Sequence, residues 1–143
     1  MTKMIFISLP VSDLPKAQRF YEALGFENQP RFTDETAAAM QWSETIFVML
    51  LTHAKWQGFT TRPICPPGSS EVSLALTCDS KADVDRLIAA GGAAGGTIDV
   101  NPPEDHGFMY QRSLADPDGH ILEPFWMDPA VASGDQPVPE TAS

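Results

Sequence analysis

Two stretches of the chain repeat one pattern of apolar and polar positions. FISLPVSDLPKAQRFYEALG (6–25) lies over VSLALTCDSKADVDRLIAAG (72–91) without a gap, with Asp13 on Asp79 and Gly25 on Gly91. Each copy reads as an apolar strand, a polar cap, and a segment whose apolar residues return at helical spacing. Ala17, Phe20, Tyr21 and Leu24 follow the i, i+3, i+4, i+7 rule in the first copy; Val84, Leu87 and Ile88 follow it in the second. Both predicted helices therefore bury one face. Ser80 and Asp83 have the spacing of a capping box, and the glycine closing each stripe is placed where a helix commonly ends in the left-handed conformation. Three short extended segments follow each helix, at about 27–33, 37–42 and 45–52 and again at about 96–101, 107–114 and 120–126. Each half is βαβββ.

The segment GFTTRPICPPGSS, rich in Pro, Gly and Ser, separates the halves, and DPAVASGDQPVPETAS after Met127 has no apolar periodicity. The expected organisation is one domain over residues 1–127, with module 1 at about 3–56, a linker at 57–70, module 2 at about 71–127, and a disordered or surface-draped tail at 128–143. A chain of 143 residues with 43% hydrophobic residues can own a core, and nothing calls for a second domain.

Charge narrows the partners. Nineteen acidic residues against nine basic ones give a formal charge of -10, a field that repels nucleic acid and anionic membrane. The apolar run near the N-terminus meets Pro10 and Asp13 too soon for a signal peptide or a membrane span, so a cytoplasmic location is expected. Cys65 and Cys78 show no CxxC spacing and read as reduced thiols. GGAAGGT (91–97) lacks the lysine of a phosphate loop and reads as a flexible helix exit; neither a Gly-x-Ser-x-Gly elbow nor an HExxH helix occurs.

The chemically conspicuous residue is Glu123, a lone carboxylate among Ile121, Leu122, Pro124, Phe125 and Trp126. An unpaired carboxylate is expensive to bury, so it needs a metal, a cationic partner or a proton. Folding the hairpin with Pro117 and Asp118 at its tip makes opposite residues sum to 235, which sets Glu123 against Arg112, Tyr110 against Phe125 and Leu114 against Ile121. A forked guanidinium would then neutralise the acid; a slip by one residue substitutes Gln111 or Ser113 for Arg112.

LPVSDLPKAQRFYEALGF, the second αβ unit about 66 residues later, and DPDGHILE together resemble the vicinal oxygen chelate superfamily, which includes glyoxalase I, extradiol dioxygenases and fosfomycin and bleomycin resistance proteins. The resemblance reaches to about residue 127 and implies an α+β fold of two tandem βαβββ modules forming a cupped mixed sheet. It also implies a homodimer and a site in the concave space. In the metal-dependent members four strand positions carry the ligands, and these map onto Phe6, Val72, Leu50 and Glu123. Only Glu123 can coordinate. A catalytic zinc needs three protein ligands, and phenyl, isopropyl and isobutyl groups supply none. His53 and His120 are an odd three residues from Leu50 and Glu123 and should face away from the cup; His106 precedes a strand at the rim. All three read as surface or turn residues.

No cofactor is therefore expected, with a divalent metal on Glu123 as the alternative. The reading preferred on these grounds is a metal-free protein of the bleomycin-resistance type that holds a small apolar or aromatic ligand. Arg112, Tyr110 and Glu123 would be its polar anchor and Phe6, Leu50, Val72 and Phe125 its walls. The alternative is a lyase, isomerase or dioxygenase related to lactoylglutathione lyase, with Glu123 as metal ligand or general base. An accessory protein acting through its dimer surface, with a vestigial cup, is a third.

Overall fold

A computed structural model describes residues 2–139. In module 1, β1 (Ile5–Val11) leads to α1 (Leu14–Ala23), then β2 (Glu27–Asn28), β3 (Ala37–Gln41), β4 (Ile46–Thr52) and a short α2 (His53–Gln57). The sheet order is β1-β4-β3-β2, with β1 parallel to β4 and the rest antiparallel. Module 2 repeats the plan. β5 (Ser73–Thr77) and α3 (Lys81–Ala93) precede β6 (Thr97–Ile98), β7 (Glu104–Asp105), β8 (Met109–Gln111), β9 (Leu114–Ala115) and β10 (Ile121–Met127). Here β10 is central, parallel to β5 on one side and antiparallel to β8 and β9 on the other. The expected α+β architecture of two βαβββ units is the one observed.

The helices form where the apolar stripes place them. Asp13 caps α1 by accepting from the Lys16 amide at 3.1 Å, Pro15 occupies the first turn, and Ala17, Phe20, Tyr21 and Leu24 are buried. Ser80 caps α3 through the Asp83 amide at 3.0 Å. The second helix does not stop at Gly91: it continues to Ala93, and the left-handed exit is Gly95, at φ 100°. Gly91 serves close packing instead. A Cβ at that position would overlap Leu114 Cδ1 and lie 3.1 Å from Leu24 Cδ2, so its absence lets α3 approach both β9 and α1. One core runs through both modules, joining Leu9, Val11, Phe20, Tyr21 and Leu50 to Leu76, Ile88, Leu114 and Leu122.

Alternation along the strands sorts the rest. Leu9, Val11, Val48 and Leu50 of module 1 and Leu76, Leu122 and Pro124 of module 2 point to the helices. Phe6, Ser8, Met49, Ser73, Ala75, Thr77, Glu123 and Phe125 point to the opposite, concave faces. Leu50, expected in the cup, is thus a core residue with no exposed surface, and Phe47, Met49 and Leu51 hold the concave positions of β4.

The tail departs from expectation at its start. Asp128 accepts from the Ala130 amide at 2.9 Å and begins α4 (Pro129–Ala132), whose Val131 is buried. A periodicity search cannot see a single helical turn. Residues 140–143 of the expected tail lie outside the described residues.

Candidate functional site

The hairpin that carries Glu123 has a register one residue away from the expected one. Phe125 pairs with Gln111, Trp126 with Tyr110, and Leu122 with Leu114, so opposite residues sum to 236. The turn explains the difference. Asp116 and His120 close it through a 2.8 Å backbone bond, and three residues, Pro117, Asp118 and Gly119, form the loop, with Gly119 at φ 93°. A type I turn followed by a left-handed glycine is the standard three-residue hairpin loop, and the odd extra residue shifts the register by one.

That shift moves every side chain of β8 to the other face. Arg112 lies opposite Pro124, donates its amide to the Pro124 carbonyl at 3.1 Å, and gets no reciprocal bond because proline has no N–H. The ladder is broken there into β8 and β9. The Arg112 side chain turns to the helical side, away from Glu123. Its Nε and Nη2 bind both oxygens of Asp99 at 3.1 and 2.8 Å, and Nη1 reaches Asp85 of α3 at 2.9 Å. Tyr110 joins the same cluster by donating its hydroxyl to Asp85 at 2.6 Å. The Arg112 hydrogen bonds hold the Asp99 carboxyl below the usual carboxylate range; those from Tyr110 and then Arg112 do the same to Asp85. Asp99 has φ 52°, and its amide donates to the Ser113 carbonyl at 2.7 Å. Arg112 and Tyr110 are accordingly not the anchor of the concave site.

Glu123 finds a different partner. Its Oε2 accepts from Gln111 Nε2 at 2.7 Å, a neutral donor on the same face of the sheet. The half-buried carboxylate sits where two grooves meet. One, of about 540 Å³, is lined by Val72, Ser73, Val100, Asn101, Ile121 and Glu123; the other, of about 300 Å³, runs past Asn101, Glu104, Gln111, Arg112 and Ser113. Asn101 is positioned by its amide, which donates to Ser113 Oγ at 2.8 Å. Phe125 shares the face of Glu123 but lines neither groove, and Val72 is 56% exposed at the edge of the larger one. Phe6 stands on the concave face of module 1, stacked on Phe47 with ring centroids 4.7 Å apart and 53% exposed.

The structure thus joins Glu123 and Val72 in the larger groove and leaves Arg112 beside Glu123 in the smaller one, its guanidinium turned to Asp85 and Asp99, while Tyr110, Phe6 and Leu50 line neither groove. Sequence reasoning missed Asp85, Asp99 and Asn101 as partners, and it named Gln111 only as the consequence of a slip. The signal that finds Gln111 is Gly119: a glycine at the fourth position of Asp-Pro-Asp-Gly marks the three-residue loop.

A further polar site holds the modules together. Asp116, 3% exposed, accepts from the Tyr21 hydroxyl at 2.8 Å and from the Asp118 and His120 amides at 2.9 Å each. Burial raises both the Asp116 carboxyl and the Tyr21 hydroxyl above their ordinary values. His120, expected to be a plain turn residue, bonds through Nε2 to the Pro10 carbonyl at 2.7 Å, and Asp118 accepts from the Ser12 amide at 2.9 Å.

The donor set does not fit a catalytic metal. Of the four positions that the resemblance maps, only Glu123 carries a donor, and among the described residues no three His, Cys, Asp or Glu side chains converge on one point.

Two βαβββ modules with concave faces opposite their helices are accompanied by a match to the family model described as Glyoxalase/Bleomycin resistance protein/Dioxygenase superfamily, over residues 3–123. The chain belongs to that superfamily. A glyoxalase-related enzyme from Fulvimarina pelagi superposes on this superfamily member with a TM-score of 0.73 and 25% identity, over 88% of each chain. The fosfomycin resistance protein FosX from Mesorhizobium loti gives 0.63 and 17%, covering 88% of this chain and 92% of its own. TnmS3, an antibiotic binding protein from Streptomyces sp. CB03234, gives 0.60 and 23%, covering 89% and 97%. The last two share the fold. A search of curated proteins found no match. No described helix of this glyoxalase-superfamily chain is long and apolar enough to cross a membrane.

Proposed function

We propose that this chain binds a small, partly aromatic or otherwise apolar molecule on the concave face of module 2, without a metal. The observation that carries the reading is the Glu123–Gln111 pair. A carboxylate held by one neutral amide keeps its second oxygen for a partner, and it lies where two grooves with Val72, Val100 and Ile121 in their walls converge. Apolar walls with a few placed polar groups are the usual make-up of small-molecule sites. The superfamily supports the reading, since a neighbour of the same fold is an antibiotic binding protein.

The same reading pairs two copies of the chain: Ile5 and Phe6 of β1, with Ile46 of β4, are exposed at the paired starts of those strands, an apolar patch that a homodimer would cover. The enzymatic alternative, a lyase or isomerase using Glu123 as base, rests on the same free carboxylate oxygen.

The test is native mass spectrometry of chain purified without added metal, followed by a thermal-shift screen of aromatic compounds against wild type and Glu123→Gln. Hits whose stabilisation falls at least several-fold in Glu123→Gln and survives chelator treatment support the proposal. Hits that need a divalent ion, or that ignore the substitution, refute it.

A further inference from the structure

A second cavity lies beside the concave site, between the modules. It is bounded by the end of β1, Trp56 of α2, the linker, the start of β5 and the Asp116–His120 turn, and it has a volume of about 180 Å³. Its walls are Leu9, Trp56, Leu74 and Ile121. An apolar cavity of about 150 Å³ is enough to hold benzene. The space therefore matches a single ring with a short substituent.

The acidic groups at its rim stand among the hydroxyls of Ser8, Ser69 and Ser70 and the thiol of Cys65. Glu71 and Asp118 are carboxylates, and no lysine or arginine lines the cavity. Asp118 commits Oδ1 to the Ser12 amide, which fixes its position and leaves Oδ2. His120 donates from Nε2 to the Pro10 carbonyl, which can only accept, and this fixes the ring at the rim. Two carboxylates and several hydroxyls, with no lysine or arginine, surround an aromatic-sized apolar space in a chain of net charge -10. We infer that this inter-module cavity binds a primary aromatic amine as its ammonium ion, the ring against Trp56 and Leu74 and the ammonium between Glu71 and Asp118. A carboxylate-bearing ring of the same size is rejected, because it would meet two like charges with no lysine or arginine to offset them.

The probe is benzylamine, with benzyl alcohol and benzoate as controls, titrated into the full chain and followed by amide and indole N–H shifts in NMR. Benzylamine is expected to bind with a Kd on the order of millimolar, as suits eight heavy atoms. Shifts should centre on Ser8, Trp56 and Leu74. Benzyl alcohol should bind roughly threefold more weakly and benzoate not at all. Glu71→Gln combined with Asp118→Asn, which keeps the acceptor for Ser12, should weaken benzylamine by about tenfold. Ser8→Trp, at an exposed strand position where the added ring fills the cavity, should abolish binding in a folded protein. Absence of binding, equal binding of benzoate, or shifts centred on Gln111 and Glu123 would each overturn the inference. The last result would place the amine in the concave site and leave that reading standing.

Discussion

Removing one hydroxyl group from the core tests the account of how the modules are joined. Tyr21 and Asp116 come from different modules and are both buried, and the 2.8 Å bond between them supplies Asp116 Oδ2 with its hydrogen. Tyr21→Phe keeps the ring packing against Phe20 and Phe26 and deletes only the donor. A hydrogen bond to a charged group contributes about 1.5–3 kcal/mol. Two amides still bind Asp116 Oδ1, so the expected loss at neutral pH is about 2 kcal/mol, or roughly 6–8 °C in Tm for a chain of this size. The pH dependence sharpens the test. Burial raises the Asp116 carboxyl in the folded state, so the native form holds its proton to higher pH than the unfolded form does. Stability from this group is therefore full below the unfolded value, near 4, and falls as pH rises through the folded value. The tyrosine bond counters that raise, so Tyr21→Phe pushes the folded value higher and deepens the fall. Urea denaturation of both proteins between pH 4 and 8 should show a gap that is about 1 kcal/mol at the acid end and widens toward neutrality. A gap that is constant with pH, or below about 0.5 kcal/mol throughout, would refute a charged Asp116 supported by Tyr21.

Other substitutions address separate points. Gly91→Ala should gain up to about 1 kcal/mol of helix propensity and lose more than that to the clash with fully buried Leu114, for a net destabilisation of about 1–2 kcal/mol by chemical denaturation. Arg112→Ala, which strips Asp85 and Asp99 of their cation, should cost about 1 kcal/mol, less in high salt, while leaving affinity for compounds that depend on Glu123 unchanged. A binding defect in that variant would return Arg112 to the site. Arg112→Lys should not restore the loss, because an ammonium cannot fork to both Asp99 oxygens; the same denaturation assay decides it. Gly119→Ala, at φ 93°, strains the three-residue loop and should destabilise by about 1 kcal/mol, with new peaks in the β10 region of an amide spectrum if the register slips.

The sequence by itself determined the elements and their repetition, because helix stripes, caps and strand alternation are local and each residue's contribution is readable from its neighbours. Ala17, Phe20, Tyr21 and Leu24 had to be buried whatever they met. The resemblance put Phe6 and Glu123 on the concave face and, on the same grounds, Leu50, which is in the core; parity along one strand fixes which side chains alternate, not which face meets the helices. What Glu123 met was a matter between strands. One extra loop residue at Gly119 decided that Gln111, and not Arg112, shares its face, and sent Arg112 to two aspartates distant in sequence. Gly91 likewise looked like a helix end until the approach of Leu114 and Leu24 showed why no side chain is tolerated there. Register and helix contact depend on sub-residue offsets between segments far apart in the chain, and only the packed structure fixes those offsets.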